Sequence, residues 1–168
     1  MEIIKATVEY FDSINEIYGA ARKYMRRNGN PEQWKDSYPS NDQILSDIAE
    51  GSLYLVMEEG SVLAVFYCAI GPDVAYSLIE DGEWLNDEPY AVIHRIAVSD
   101  SARGRGISRI CFDFACEKSE NLRIDTHKDN LPMQAALARY GFVRCGKVYV
   151  RDGGERVAFQ YTRRRCDT

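Results

Sequence analysis

Long apolar runs are missing from this 168-residue chain. No stretch approaches the roughly 18 residues that would span a bilayer, and no apolar leader is read at its start. Paired cysteines are missing too. Cys68, Cys111, Cys116, Cys145 and Cys166 are odd in number and form no Cys-x-x-Cys pair. That argues against a disulfide framework and against a metal site, and it suits a reducing compartment. Cys68 falls in an apolar strand and Cys111 and Cys116 on a helix, so buried inert thiols are expected there. Positive charge is also in deficit: 21 Lys and Arg face 26 Asp and Glu, a net charge of -5. Such a surface repels nucleic acid and anionic membranes, so neither is expected as a partner. The one basic run, Arg163-Arg164-Arg165, reads as a solvated tail. No repeat, low-complexity tract or linker divides the chain. A single cytoplasmic domain over residues 1–168 is expected.

What is present is enough for a core: 45% of residues are hydrophobic and 28% charged. Residues 2–7 read as a short strand. From Val8 to Arg27, Phe11, Ile14, Ile17, Tyr18, Ala21, Tyr24 and Met25 recur at three and four, an amphipathic helix stopped by Asn28-Gly29-Asn30-Pro31. Ser40 is a natural N-cap for a second helix carrying Ile44, Leu45 and Ile48 and closed by Gly51. Leu53–Met57 and Val62–Ile70 read as paired strands, and Tyr90–Val98 as a central one. A helix is expected over Gly104–Lys118, a strand over Leu122–Thr126, and a helix over Leu131–Tyr140 ended by Gly141. Phe142–Val150 and Arg156–Tyr161 read as a closing hairpin. The order β-α-α-β-β-β-α-β-α-β-β describes an α/β chain of the α+β type with a mixed sheet.

The informative stretch runs from Tyr90 to Ser108. An apolar strand passes through a polar turn into Arg103-Gly104-Arg105-Gly106, and then into a helix. Two glycines opening a helix leave several N–H groups aimed at one spot, with the positive end of the helix dipole behind them. Without Cβ atoms the main chain can come close to a bulky anion. Arg103 and Arg105 add charge and forked donors. A phosphate or pyrophosphate suits this place, although a bare Gly-x-Gly can also be only a turn.

Strand, then Arg103-Gly104-Arg105-Gly106-Ile107-Ser108, then helix, strand, Asn130 and a helix ending in Gly141-Phe142, resembles the GCN5-related N-acetyltransferases (GNAT) over nearly the whole chain. Their hallmark, Arg or Gln, two residues, Gly, one residue, Gly or Ala, fits Arg103 and Gly106, with Ser108 at the last position. The resemblance implies the GNAT fold and acetyl-CoA as cosubstrate. By position, the amides of Arg103, Gly104, Arg105, Gly106, Ile107 and Ser108 would hold the pyrophosphate. The backbone of Ile96 and Val98 would pair with the pantetheine arm like a strand edge. Asn130 matches the family's asparagine beside that arm, with Met133 and Gln134 in the same turn. Asp129 or Asn130 could equally cap the last helix.

Acetyl transfer to an amine needs a neutral amine, hydrogen bonds to the thioester oxygen, and a proton for the departing thiolate. For an amine of pKa near 10, deprotonation at pH 7 costs roughly 4 kcal/mol, which a placed base can largely recover. Many GNAT members supply the thiolate proton from a tyrosine four residues before the glycine of a Gly-Phe pair. Here that count lands on Leu137, while Tyr140 directly precedes Gly141. Tyr140 is either the acid or a packing residue. Asp125 lies five residues before Asn130, where ribosomal-protein N-terminal acetyltransferases of this family place a glutamate. Strand alternation puts Arg123, Asp125 and His127 on one face, so Asp125 and His127 form a candidate proton-handling pair, with His94 as a third candidate. The structural alternative pairs Asp125 with Arg123 or Arg95 and packs His94 in the sheet. Trp34, Tyr38, Trp84 and Tyr90 with the acidic stretch around Asp81–Glu88 could draw in a cationic amine, or merely be solvated.

The expected activity is therefore an N-acetyltransferase acting on a primary amine of a small molecule or peptide. The alternative is a non-catalytic acyl-CoA-binding module of the same fold. A nicotinamide-dependent enzyme fits less well, because Arg109 stands where a dinucleotide fingerprint needs its third glycine. The acceptor stays open, and the resemblance makes a homodimer a frequent state.

Overall fold

The computed structural model describes residues 1–35 and 37–164. Arg165 of the basic run and Cys166 lie outside the described residues. Among the described residues, seven strands and four α-helices follow one another as β1 (Glu2–Lys5), α1 (Phe11–Arg27), α2 (Asn41–Glu50), β2 (Leu53–Glu58), β3 (Ser61–Ile70), β4 (Ala91–Val98), α3 (Ile107–Lys118), β5 (Asn121–Thr126), α4 (Leu131–Tyr140), β6 (Val143–Tyr149) and β7 (Glu155–Thr162). This is the expected mixed α/β order. The sheet runs β1-β2-β3-β4-β5-β7-β6. β4 and β5 are parallel, while β1–β2, β2–β3, β5–β7 and β6–β7 are antiparallel. No helix of the described residues is long and apolar enough to cross a membrane.

Two compact units divide the chain. The first comprises Met1–Cys68 and His94–Cys111. Ile14, Ile17, Tyr18 and Ala21 fall on one stripe of α1 and are buried. They join Ile44 of α2, Trp34, Leu53, Leu55 and Met57 of β2, Val65 of β3 and Ala97 of β4 in one apolar cluster. Local chemistry fixes the ends of α2: the Ser40 hydroxyl accepts from the Gln43 N–H at 3.1 Å, and Gly51 takes φ 74°.

The second unit comprises Ala69–Ile93 and the chain from Phe112 on. Leu122 and Ile124 of β5, Leu137 of α4 and Val148 of β6 are buried there. Phe112, Tyr140, Phe142 and Tyr161 pack ring against ring with centroids 4.9 to 5.7 Å apart. The outer edge of β6 is met by the 80–82 segment. Glu80 and Lys147 exchange two main-chain hydrogen bonds of 2.9 and 2.8 Å. Gly82 makes that approach close, since a Cβ on it would stand 1.8 Å from the Cys145 carbonyl oxygen.

Cys68 and Cys111 are buried, as expected of inert thiols, and burial pushes the Cys111 thiol up. Cys116 departs from that expectation: it is half-buried, with its sulfur 3.3 Å from the Tyr140 hydroxyl.

Candidate functional site

The first unit holds the Arg103–Ser108 loop. A 3-10 turn over Asp100–Ala102 follows β4 and Ser99, and α3 begins only at Ile107, three residues later than periodicity suggests. The reason is backbone conformation. Gly104 and Gly106 take φ 81° and 74°, outside the helical region and disfavoured for residues with a Cβ. A Cβ built on either glycine would meet nothing within 4 Å, so both face open space. A helix starting at Ile107 leaves the N–H groups of its first turn without intrahelical carbonyls, with the dipole behind them. The Arg105 N–H is a turn donor to Ala102 oxygen at 3.3 Å, so this amide is not part of the open set.

The two arginines are held by local acids. Arg103 is bonded to Asp100 and lies 3.6 Å above the Tyr24 ring centre. Its hydrogen bond holds the Asp100 carboxyl below its ordinary value. Arg105 reaches both oxygens of Glu58 at 3.1 and 2.9 Å. These pairs partly offset the positive charge of the two arginines beside the loop.

Two further expected residues lie in the second unit. Asn130 is the N-cap of α4, its side-chain oxygen accepting from the Met133 N–H at 3.2 Å. The capping role read as one alternative is thus built, and it engages the Met133 amide.

Among the candidate proton-handling groups, the Asp125 carboxylate accepts from the Tyr76 hydroxyl at 2.6 Å. β5 ends at Thr126, so strand alternation does not extend to His127. His127 Nδ1 accepts from the Asp129 N–H at 3.1 Å, which places the proton of the neutral ring on Nε2. In the first unit, His94 lies beside Tyr67 with ring centres 5.9 Å apart. Tyr140 packs in the Phe112 cluster and its hydroxyl donates to Asp113 at 2.7 Å. Burial, with hydrogen bonds to Cys116 and Asp113, pushes that phenol up. Leu137, at the position counted for the family's tyrosine, is fully buried.

The family model for the acetyltransferase (GNAT) family matches residues 12–142. The chain belongs to this family. Among solved structures, a GNAT-family acetyltransferase from Streptococcus agalactiae is 31% identical over 98% of this chain and 96% of its own, with a TM-score of 0.88. A ribosomal-protein-alanine N-acetyltransferase from Brucella melitensis shares the fold at 18% identity, covering 96% of this chain and 99% of its own with a TM-score of 0.64. So does a chain of the NatC complex bound to Gag peptide and CoA, at 16% identity, 96% and 99% coverage and a TM-score of 0.64. No curated protein matches the chain. Family membership implies acyltransferase activity with acetyl-CoA as donor.

Three features of this GNAT chain escaped the sequence reading. Tyr76, in a 3-10 turn between β3 and β4, is buried against Trp84 and Tyr90, and burial together with Asp125 pushes its phenol well up. Arg123 is buried between the Trp84 and Tyr90 rings at 4.2 and 4.1 Å, donating to the Asn86 carbonyl at 2.8 Å. Arg95, in the middle of β4, has φ 49°. No glycine, asparagine or other local signal marks that kink, so only the fold reveals it.

Proposed function

We propose that the chain is an acetyl-CoA-dependent N-acetyltransferase that acts on a primary amine of a small molecule or peptide, with residues 1–168 as one cytoplasmic domain. The observation carrying this reading is the opening of α3: two left-handed glycines facing open space, followed by the unpaired donors of a helix N-terminus. These features fit a diphosphate. The amides of Gly106, Ile107 and Ser108 are its ligands here. Arg103 and Arg105 border it. Ile96 and Val98, at the C-terminal end of β4, offer main chain to the pantetheine arm.

Bound acetyl-CoA supplies an activated acetyl group as its thioester. The chain's own task is to hold the amine neutral. Asp125 is the group for that step. Its Oδ2 is fixed by the Tyr76 hydroxyl, and Oδ1 receives the ammonium proton directly or through water. His127, protonated on Nε2, is a donor rather than a base. Tyr140 is a packing residue in this scheme, and the thiolate takes its proton from water or from the substrate's attacking nitrogen, which sheds one as the amide forms.

Leu137 favours a second reading, a non-catalytic acyl-CoA-binding module, because the family's usual acid is replaced by a core residue. Release of free CoA in the presence of an amine panel separates the two, since a pure binder shows affinity without turnover. The donor is tested by thermal shift with acetyl-CoA, CoA and NADH. Acetyl-CoA and CoA are expected to stabilise the protein and NADH is not. Gly106→Glu sets a carboxylate in the loop and is expected to abolish the acetyl-CoA response. An undiminished response in this variant overturns the assignment of the loop.

A further inference from the structure

A non-glycine residue at φ 49° in the middle of a strand costs about 1 to 2 kcal/mol, and persists only where its surroundings over-determine it. Arg95 is such a residue, and four elements of the first unit hold it. From α2, Asp47 accepts from Arg95 Nε at 2.7 Å and from Nη2 at 3.0 Å, a forked ion pair whose side chains are only 13% and 4% exposed. Gln43, one turn earlier on α2, donates to the same carboxylate at 2.9 Å. From the loop before α2, the Tyr38 hydroxyl accepts from Nη1 at 3.3 Å. From β3, the Tyr67 ring lies 4.6 Å below the guanidinium. From α1, the fully buried Tyr18 donates its hydroxyl to the Arg95 carbonyl at 2.8 Å. Side chain and main chain of one residue are thus fixed at once.

Burial along β4 changes character here: Ala91, Val92 and Ile93 are buried, His94, Arg95 and Ile96 are half-buried, and beyond them Ala97 lies in the core with Val98 half-buried. A left-handed residue inside a strand bends it and re-aims the main chain that follows.

We propose that Arg95 and Asp47 are positioning residues: their buried ion pair, with the Tyr18 hydroxyl, holds the kink that presents the Ile96–Val98 main chain to the arm of the acetyl carrier. This inference rests on the acetyl-CoA reading. The residues that hold Arg95, namely Tyr18, Tyr38, Gln43, Asp47 and Tyr67, all lie outside the Arg103–Ser108 loop. Loss of the ion pair should therefore remove the arm's contribution to affinity and leave the head's contribution in place.

The test is calorimetric titration of two probes, CoA and 3′-phospho-ADP, which is the same head without the arm. Asp47→Asn is expected to weaken CoA about tenfold, the loss of one or two main-chain hydrogen bonds, and to leave 3′-phospho-ADP within about twofold. Glycine adopts positive φ without a steric cost, so Arg95→Gly combined with Asp47→Asn is expected to bring CoA back to within about threefold of wild type. Tyr18→Phe, which deletes one hydroxyl from an otherwise unchanged core, is expected to weaken CoA about threefold and provides the same readout should Asp47→Asn fail to fold. Equal weakening of both probes overturns the proposal, as does unchanged CoA binding in folded Asp47→Asn and Tyr18→Phe. Failure of the glycine double variant to recover affinity assigns the pair to core stability alone. Wild-type protein that binds neither probe overturns the acetyl-CoA reading itself.

Discussion

Two tyrosine–carboxylate bonds of nearly equal length occupy the second unit, Tyr76 to Asp125 at 2.6 Å and Tyr140 to Asp113 at 2.7 Å. Their settings differ. Asp113 is on α3 and meets Tyr140 at the rim of an aromatic cluster. Asp125 is on β5, with its tyrosine sunk in a pocket of rings. Asp125→Asn keeps the shape and the acceptor for Tyr76 while removing the carboxylate proposed as the base. Turnover is expected to fall by about 10² to 10⁴, with the acetyl-CoA thermal shift retained. Wild-type turnover in this variant assigns the base elsewhere. Tyr140→Phe is expected to keep turnover within about threefold and to cost about 1 kcal/mol of stability through the lost Asp113 bond. Steady-state rates and urea unfolding decide it, and a rate loss of about a hundredfold would return Tyr140 to the role of acid.

At the scale of elements, the helices with explicit end chemistry were the ones a sequence could delimit. Ser40 and Gly51 bound α2, and Asn130 and Gly141 bound α4, because each cap is one residue acting on its own helix. The start of α3 was misplaced because Ile107, Ile110 and Cys111 set a period that says nothing of backbone sign at Gly104 and Gly106. The Arg95 kink was illegible for a different reason: it is enforced by Tyr18, Tyr38, Asp47 and Tyr67, residues 28 to 77 positions away. Strand alternation gives no support for placing His127 beside Asp125, since β5 ends at Thr126 and alternation has meaning only while the strand lasts. Asn130 offers a test that separates its two roles. Asn130→Ala is expected to lose about 1 kcal/mol of stability, whereas Asn130→Ser, which can still cap, is expected to lose little. If the asparagine also touches the carrier arm, both variants bind acetyl-CoA more weakly. Serine binding as tightly as wild type leaves Asn130 with the cap alone.

For the molecule as a whole, ligand and stability are linked by mass action. Acetyl-CoA at 100 times its Kd contributes about 2.7 kcal/mol, which for a chain of this length is roughly 5 to 11 °C in Tm. A scanning fluorimetry series in acetyl-CoA is expected to approach that rise logarithmically. A plateau near zero at saturating ligand contradicts selective binding to the folded state. The surplus of acidic residues acts at this scale too, since it favours solubility without specifying any partner.

β6 is the last strand of the sheet, and such a strand is open to recruitment by another extended chain. Here the reciprocal Glu80–Lys147 bonds already occupy part of that border, and Gly82 brings the covering segment in so tightly that even a methyl group would dislodge it. The fold thus carries its own stopper against templated growth into fibres. Replacing Gly82 by a larger residue would leave the individual protein with a loosened flap and its population with a new propensity to aggregate.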